Sequence, residues 1–354
     1  YDGKHTHKGD WSKALDFVIR DKEGKTWQGA GTRPEDFYCY NKPVLCPADA
    51  VVEEVITYVE DNPVGGNNTR QNWGNTIVLK HAEGLYTKLS HLRKGSIKVV
   101  KGEYVKKGML LAACGNSGRS PEPHLHFQVQ TTPYIGSRTL AYPFASYILH
   151  DTTDKHLPET FTTPREEAVV SNIQLSPSLV QAFDFKPGLR IRAKSTDERE
   201  EEWEVMVSAY NETYFYAAAS GAYAYFVNDG SLFYFTNFYG SRSGLLYLFY
   251  LSAYKVLLTA DKRISVTDTY PQGLFGNRIT RWLQDFMAPF YIYTNWRYSC
   301  ILIDHDALSG GDVLLESSGQ RQHGRSRTPF MKATVTIKGG GLTGFSTTFN
   351  HQQT

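Results

Sequence analysis

The sequence predicts a mainly β protein in two parts, an antiparallel β domain over residues 1–150 and an α+β domain over residues 151–354. Short apolar and alternating runs, punctuated by glycines at Gly84, Gly95, Gly102 and Gly108, fill the first part without a sustained helical period. Between Ser146 and Glu167 two prolines, Pro158 and Pro164, and the polar run His150-Asp151-Thr152-Thr153-Asp154 interrupt that pattern. At 354 residues the chain also exceeds a comfortable single core.

In the first part, Pro47-Ala48-Asp49 turns into a strand at Val51–Val59, and Asn75–His81 reads as the next. The intervening polar loop Asn62–Asn68 is long enough to overhang a groove. The turn at Glu83-Gly84 leads into Gly84–Leu92, which carries His91. Further on, His124-Leu125-His126-Phe127-Gln128-Val129-Gln130 alternates apolar and polar residues, as a strand with one buried face does.

In the second part, strands are expected at Val169–Leu175, Leu189–Ala193, Trp203–Ala209, Tyr214–Ala218, Ala222–Val227 and Leu232–Phe238. Helices are expected within Gly244–Ala260 and near Asn277–Met287, then strands at Tyr291–Thr294, Tyr298–Ile303, Val313–Glu316 and Ala333–Lys338. The apolar stretch from Gly244, with Lys255 inside it, is too short and polar for a membrane span and reads as a buried helix. The runs Tyr214-Phe215-Tyr216, Tyr223-Ala224-Tyr225-Phe226 and Phe233-Tyr234-Phe235 either feed a β core or present aromatic rings to a glycan.

Composition narrows the function classes. Hydrophobic content of 41% and charged content of 21% are those of an ordinary globular chain. A net charge of +2 gives no case for nucleic acid and is compatible with an anionic cell wall. Of the four cysteines, Cys39 and Cys46 would close a small loop in an exported protein, whereas Cys46 and Cys114 read as buried thiols. None has zinc-finger spacing.

The chemistry concentrates in histidines. On a strand His124 and His126 share a face while Leu125 faces a core, and paired imidazoles are half of a metal site. A hydrolytic zinc needs three protein ligands and an open position. The amino terminus offers His5, His7 and Asp16, and Asp16 interrupts the apolar run Ala14-Leu15-Phe17-Val18-Ile19. A carboxylate there is costly unless it meets a cation, or else it faces solvent at a turn. His91, between these segments, gains weight only alongside them.

The order of motifs resembles the lysostaphin-like (LytM-type) zinc endopeptidases, which cut peptidoglycan crosslinks. The residues that carry it are His7-Lys8-Gly9, Asp16, Pro43-Val44-Leu45-Cys46-Pro47-Ala48-Asp49, Trp73-Gly74-Asn75 and Leu89-Ser90-His91-Leu92. Val105-Lys106-Lys107-Gly108, the loop Gly115–Ser120 and His124–Phe127 complete it. The resemblance covers the first ~150 residues only. It implies a small barrel-like β fold of the duplicated-hybrid-motif type with an open groove. It also implies zinc held by His7, Asp16 and His126, with His91 and His124 unligated beside the water and substrate.

Some positions depart from the family pattern. Six residues, Asp10–Leu15, separate Gly9 from Asp16 where the common form has one, so His5 rivals His7 and Asp10 rivals Asp16. His7 is preferred for its His-x-Gly match and Asp16 for its place in a strand. Glu122 stands where a small residue is usual, and Leu89 where tyrosine is frequent, which would alter the groove's hydrogen bonding. Two readings follow: a zinc endopeptidase acting on peptidoglycan peptides, or a noncatalytic binder or activator of wall hydrolases. The retained ligands favour the first. Because the chain opens at Tyr1 just before the first ligand, an export signal is expected upstream, with a periplasmic or extracellular location. No partner nucleic acid or membrane span is expected.

Overall fold

The computed structural model describes residues 11–151, 156–195, 198–275, 282, 286–287, 294–305, 313–323, 326–338 and 341–349. The chain divides into two compact units, Tyr1–Tyr142 and Pro143–Thr354. The divide falls ahead of residue 150 because Phe144–His150 pairs with His156–Thr162 and Val169–Ser171, within the second unit.

The first unit contains β1 (Leu15–Phe17), β2 (Pro43–Leu45), β3 (Ala50–Ile56), β4 (Asn75–Ala82), β5 (Leu85–Leu92), β6 (Tyr104–Val105), β7 (Leu110–Ala113), β8 (Leu125–Gln130) and β9 (Thr139–Leu140). Seven of these build an antiparallel sheet ordered β1-β8-β5-β4-β3-β6, with β9 also on β8, while β2 and β7 pair separately. The predicted strands at 51–59, 75–81 and 124–130 all form, within a few residues. Their inward residues Val52, Ile77, Leu79, Leu89 and Leu111 are at most 2% exposed and share one core with Val44, Val105 and Cys114. Each such burial is worth about 1.5–3 kcal/mol. Leu89 therefore belongs to this core rather than to the groove.

The Trp73-Gly74-Asn75 and Gly115–Ser120 motifs lock together at the top of the sheet. Gly74 has φ +63°, and a Cβ there would lie 2.3 Å from Ser117 O. Asn75 is fully buried; its amide donates to Val59 O and Leu92 O, and its Oδ1 accepts from Val59 N. Ser117 Oγ accepts from Asn75 N and donates to Leu92 O. The polar loop predicted to overhang a groove is tied in as well, since Asn62 Nδ2 donates to Gly118 O and Ser120 O. Gly74→Ala is expected to cost about 3 kcal/mol or more, from left-handed backbone strain plus the clash. A urea midpoint unchanged from that of the unsubstituted protein would refute this account of the motif.

The second unit's described residues form three-, six- and five-stranded antiparallel sheets. Helical content is small: α1 (Pro177–Ala182) and α2 (Leu245–Ser252), so the α+β expectation gives way to a mostly β unit. The predicted helix at 244–260 stops at Ser252 because Lys255–Leu257 pairs instead with Leu232–Tyr234. The helix predicted near 277–287 falls largely outside the described residues, as does most of the predicted strand at 291–294. No described helix is long and apolar enough to cross a membrane. The aromatic runs divide by residue type: Phe215, Phe226, Phe233 and Phe235 are buried in the core. Tyr214, Tyr216, Tyr223 and Tyr225 are only partly covered and stack on one another across Thr213–Ala217 and Ala222–Asn228.

Buried Glu201 joins sheet to helix here, accepting from Trp203 Nε1 and from Leu246 N at the start of α2, both at 2.9 Å. Glu201→Ala would strand a buried indole N–H and is expected to cost about 3 kcal/mol in a denaturant titration. All four cysteines are buried free thiols. Cys39 does not bridge to Cys46; its thiol donates to Pro123 O, and that of Cys46 donates to Ala48 O.

Candidate metal centre

Strand register assembles the site. In the β1–β8 pair Asp16 stands directly opposite His126. Facing residues of an antiparallel pair have Cβ atoms about 5 Å apart, so their side chains meet. Asp16 Oδ1 lies 2.9 Å from His126 Nδ1 and 3.9 Å from His124 Nε2. On the other side of β8, Ser90 of β5 is the partner of His126, which places His91 at the same end. The His91 ring is 4.7 Å from that of His124 and 5.9 Å from that of His126. Four predicted site residues, Asp16, His91, His124 and His126, thus line one cavity of about 380 Å³. His5, His7 and Asp10 lie outside the described residues.

Hydrogen bonds fix two of the imidazoles. His91 Nδ1 donates to Ser117 O at 2.8 Å, and His124 Nδ1 to Glu122 O at 2.8 Å, since a carbonyl can only accept. Each ring is thus anchored through its Nδ1–H, with Nε2 at the opposite edge of the ring. His91 adopts φ +61°, a conformation costly for a side chain of its size, and the surrounding bonds hold it there. Glu122 is exposed and contributes its carbonyl rather than its carboxylate.

Electrostatics suit a cation. Burial alone would raise the Asp16 carboxyl, but the 2.9 Å contact with His126 and the facing imidazoles outweigh it and hold the group at about 2. Burial pushes His91 well below the usual imidazole value, and His124 and His126 add to this. His126 is lowered too, by burial first, against the pull of Asp16. An ionised carboxylate beside neutral imidazoles is the donor state zinc requires. Two donors at ~2.0–2.1 Å from one tetrahedral zinc stand about 3.3 Å apart, close to the observed 2.9 Å. Among the described residues no group of three His, Cys, Asp or Glu side chains closes a complete ligand set. The residues present fit two of its members.

The cavity contains residues that sequence reasoning passed over. Trp11, Asn67, Asn72, Trp73, Arg119 and Pro121 line it with the histidines. Trp73 packs between Trp11 at 4.7 Å and His126 at 5.0 Å, and Lys88 Nζ sits 2.8 Å from the Trp73 ring centre. Lys88 is fully buried and its amine finds no hydrogen-bond acceptor, so burial lowers it well below an ordinary lysine. In sequence it looks like a solvated strand residue; in the fold it lies between β4 and β8 with its amine on the Trp73 ring.

Residues 35–136 match Peptidase family M23. A protein of Haemophilus influenzae named an uncharacterized metalloprotease is 37% identical over 86 residues, 24% of this chain and 15% of its own length. The peptidoglycan DD-endopeptidase ShyB of Vibrio cholerae is 45% identical over 87 residues, 25% of this chain and 18% of its own. The chain thus spans less than a fifth of the length of these relatives. Among solved structures, the catalytic domain of lysostaphin from Staphylococcus simulans aligns at 23% identity over 32% of this chain and 85% of that one, with a TM-score of 0.22. The matched segment falls wholly within the amino-terminal unit. Asp16 lies before the matched segment, so its approach to His126 is an observation independent of that match.

Proposed function

We propose that the chain is a zinc-dependent endopeptidase that hydrolyses peptide bonds in peptidoglycan crosslinks or stem peptides. The observation that carries this is the 2.9 Å approach of Asp16 to His126, with two further imidazoles, each anchored through Nδ1, lining the same cavity. His7, Asp16 and His126 would hold the metal. A zinc ion there supplies Lewis-acid polarisation of the scissile carbonyl and makes a bound water acidic near neutral pH.

The protein's own groups supply the rest. His91 and His124 take a proton from the attacking water at Nε2 and return it to the departing amine, as general base and then acid. Their fixed Nδ1 hydrogen bonds orient both rings before substrate arrives. Trp73 and Pro121 exclude water from one wall, while Arg119 sets a cation on the cavity for a substrate carboxylate. Residues 1–142 act as the catalytic domain and residues 143–354 as an accessory domain, in the periplasm or outside the cell. The retained Asp16, His91, His124 and His126 in one cavity support an enzyme over a noncatalytic activator of wall hydrolases.

The test is metal analysis of the purified protein together with digestion of isolated peptidoglycan, with mass spectrometry of the released peptides. One zinc per chain and new amino termini are expected, both abolished by a chelator and restored by zinc. Protein that binds no zinc and releases no peptides from the wall would overturn the proposal.

A further inference from the structure

Beyond His126, the inner face of β8 carries two side chains that this chemistry does not use, Gln128 and Gln130. His126, Gln128 and Gln130 alternate with Phe127 and Val129 and so project to one side. Both glutamines are fully buried, where an amide is retained only if its hydrogen bonds are made. Theirs are made, and in one sense only.

Gln130 Nε2 donates to Thr132 O at 2.7 Å and to Tyr134 O at 3.0 Å. Backbone carbonyls cannot donate, so the amide end of Gln130 is fixed and its Oε1 points the other way. That oxygen accepts from Gln128 Nε2 at 2.7 Å, and the same nitrogen reaches Ser137 O at 3.3 Å. Gln128 Oε1 is thereby turned to His126 Nε2 at 2.9 Å. An amide oxygen accepts, so the hydrogen of His126 belongs on Nε2. The opposite nitrogen, Nδ1, then offers a lone pair to Asp16 Oδ1 2.9 Å away. Two lone pairs at that distance repel unless a cation joins them.

We propose that Gln128 and Gln130, anchored on the backbone of the 132–137 turn, are positioning residues that fix the tautomer and ring angle of His126 and thereby set the cation affinity of the His126–Asp16 pair. The inference rests on the zinc reading above. An amide relay transmits orientation without adding a charge to a buried face. It also starts from main-chain carbonyls, so the direction of every bond is settled by the fold and not by solvent. The ligating nitrogen is chosen before any metal arrives.

The experiment measures zinc affinity of the full chain by competition with a chromophoric chelator, for the unsubstituted protein and for Gln128→Leu, Gln128→Glu and Gln130→Leu. Losing the acceptor in Gln128→Leu is expected to weaken zinc binding about 10–100-fold, the usual cost of removing a group that orients a ligating histidine. Gln130→Leu, one step removed, should show a smaller loss, and Gln128→Glu, which still accepts from Nε2–H, should recover most of the affinity. In the zinc-loaded protein, nitrogen-15 NMR should find the His126 proton on Nε2.

Thermal melting of the metal-free variants separates folding from binding, and Gln130→Leu keeps the test open should Gln128→Leu fail to fold. Unchanged affinity in both leucine variants, a loss that the glutamate does not recover, or a proton on Nδ1 would each overturn the relay. Zinc bound by the unsubstituted protein but indifferent to these changes would leave the endopeptidase reading standing and remove only the relay. Absence of zinc from the unsubstituted protein would remove both.

Discussion

Asp16→Ala is expected to eliminate stoichiometric zinc and to lower peptidoglycan hydrolysis by about three orders of magnitude or more, the scale of losing several kcal/mol of Lewis-acid stabilisation. The change removes one donor and leaves His126 Nδ1 facing empty space, since no other described carboxylate lies against it. Folding should survive, because Asp16 sits in a three-residue strand, its side chain is 32% exposed, and the main core lies elsewhere. Inductively coupled plasma mass spectrometry and muropeptide release would be measured on the same preparation. Retained zinc with retained activity would show that the carboxylate is not a ligand.

His91→Ala and His124→Ala should part company with Asp16→Ala on the metal. Each is expected to keep zinc yet lose about 10²–10⁴ in kcat, the range of a positioned acid or base. The two residues differ in setting. His91 is 4% exposed and locked at φ +61°, so its removal also deletes a packed ring bonded to Ser117 O, whereas His124 is only partly buried. A loss confined to kcat with bound zinc intact would place both in proton transfer. Loss of the metal in either variant would place that residue in the coordination sphere instead.

Much of this site is legible from the chain alone, and the reasons are local. Asp16 stands out because a carboxylate inside an apolar run needs a partner, and strand alternation brings His126 and its glutamines to one face. The tight Trp73-Gly74-Asn75 and Gly115–Ser120 turns are readable because each needs a residue type that only its geometry explains, as Gly74 does. Lys88, Trp73 and Arg119 were not legible. Their roles come from elements far apart in sequence, and nothing in Thr87-Lys88-Leu89 announces that a neighbouring strand will seal the amine from water. Leu89 misleads in the same way, for an expected groove residue proves to be core. In the second unit, strand positions follow from alternation, but the apolar run after Gly244 is helix for only eight residues before sheet pairing claims Lys255–Leu257.

One consequence follows from the sheet order. Among the described residues β1 is an edge strand of three residues that pairs only with β8, and it delivers the carboxylate donor. So short a strand has little hold of its own, and an ion clamping Asp16 to His126 would act as its rivet. Chelation should then do more than abolish the proposed activity: it should let this margin fray and become the first place where a protease such as trypsin nicks the protein.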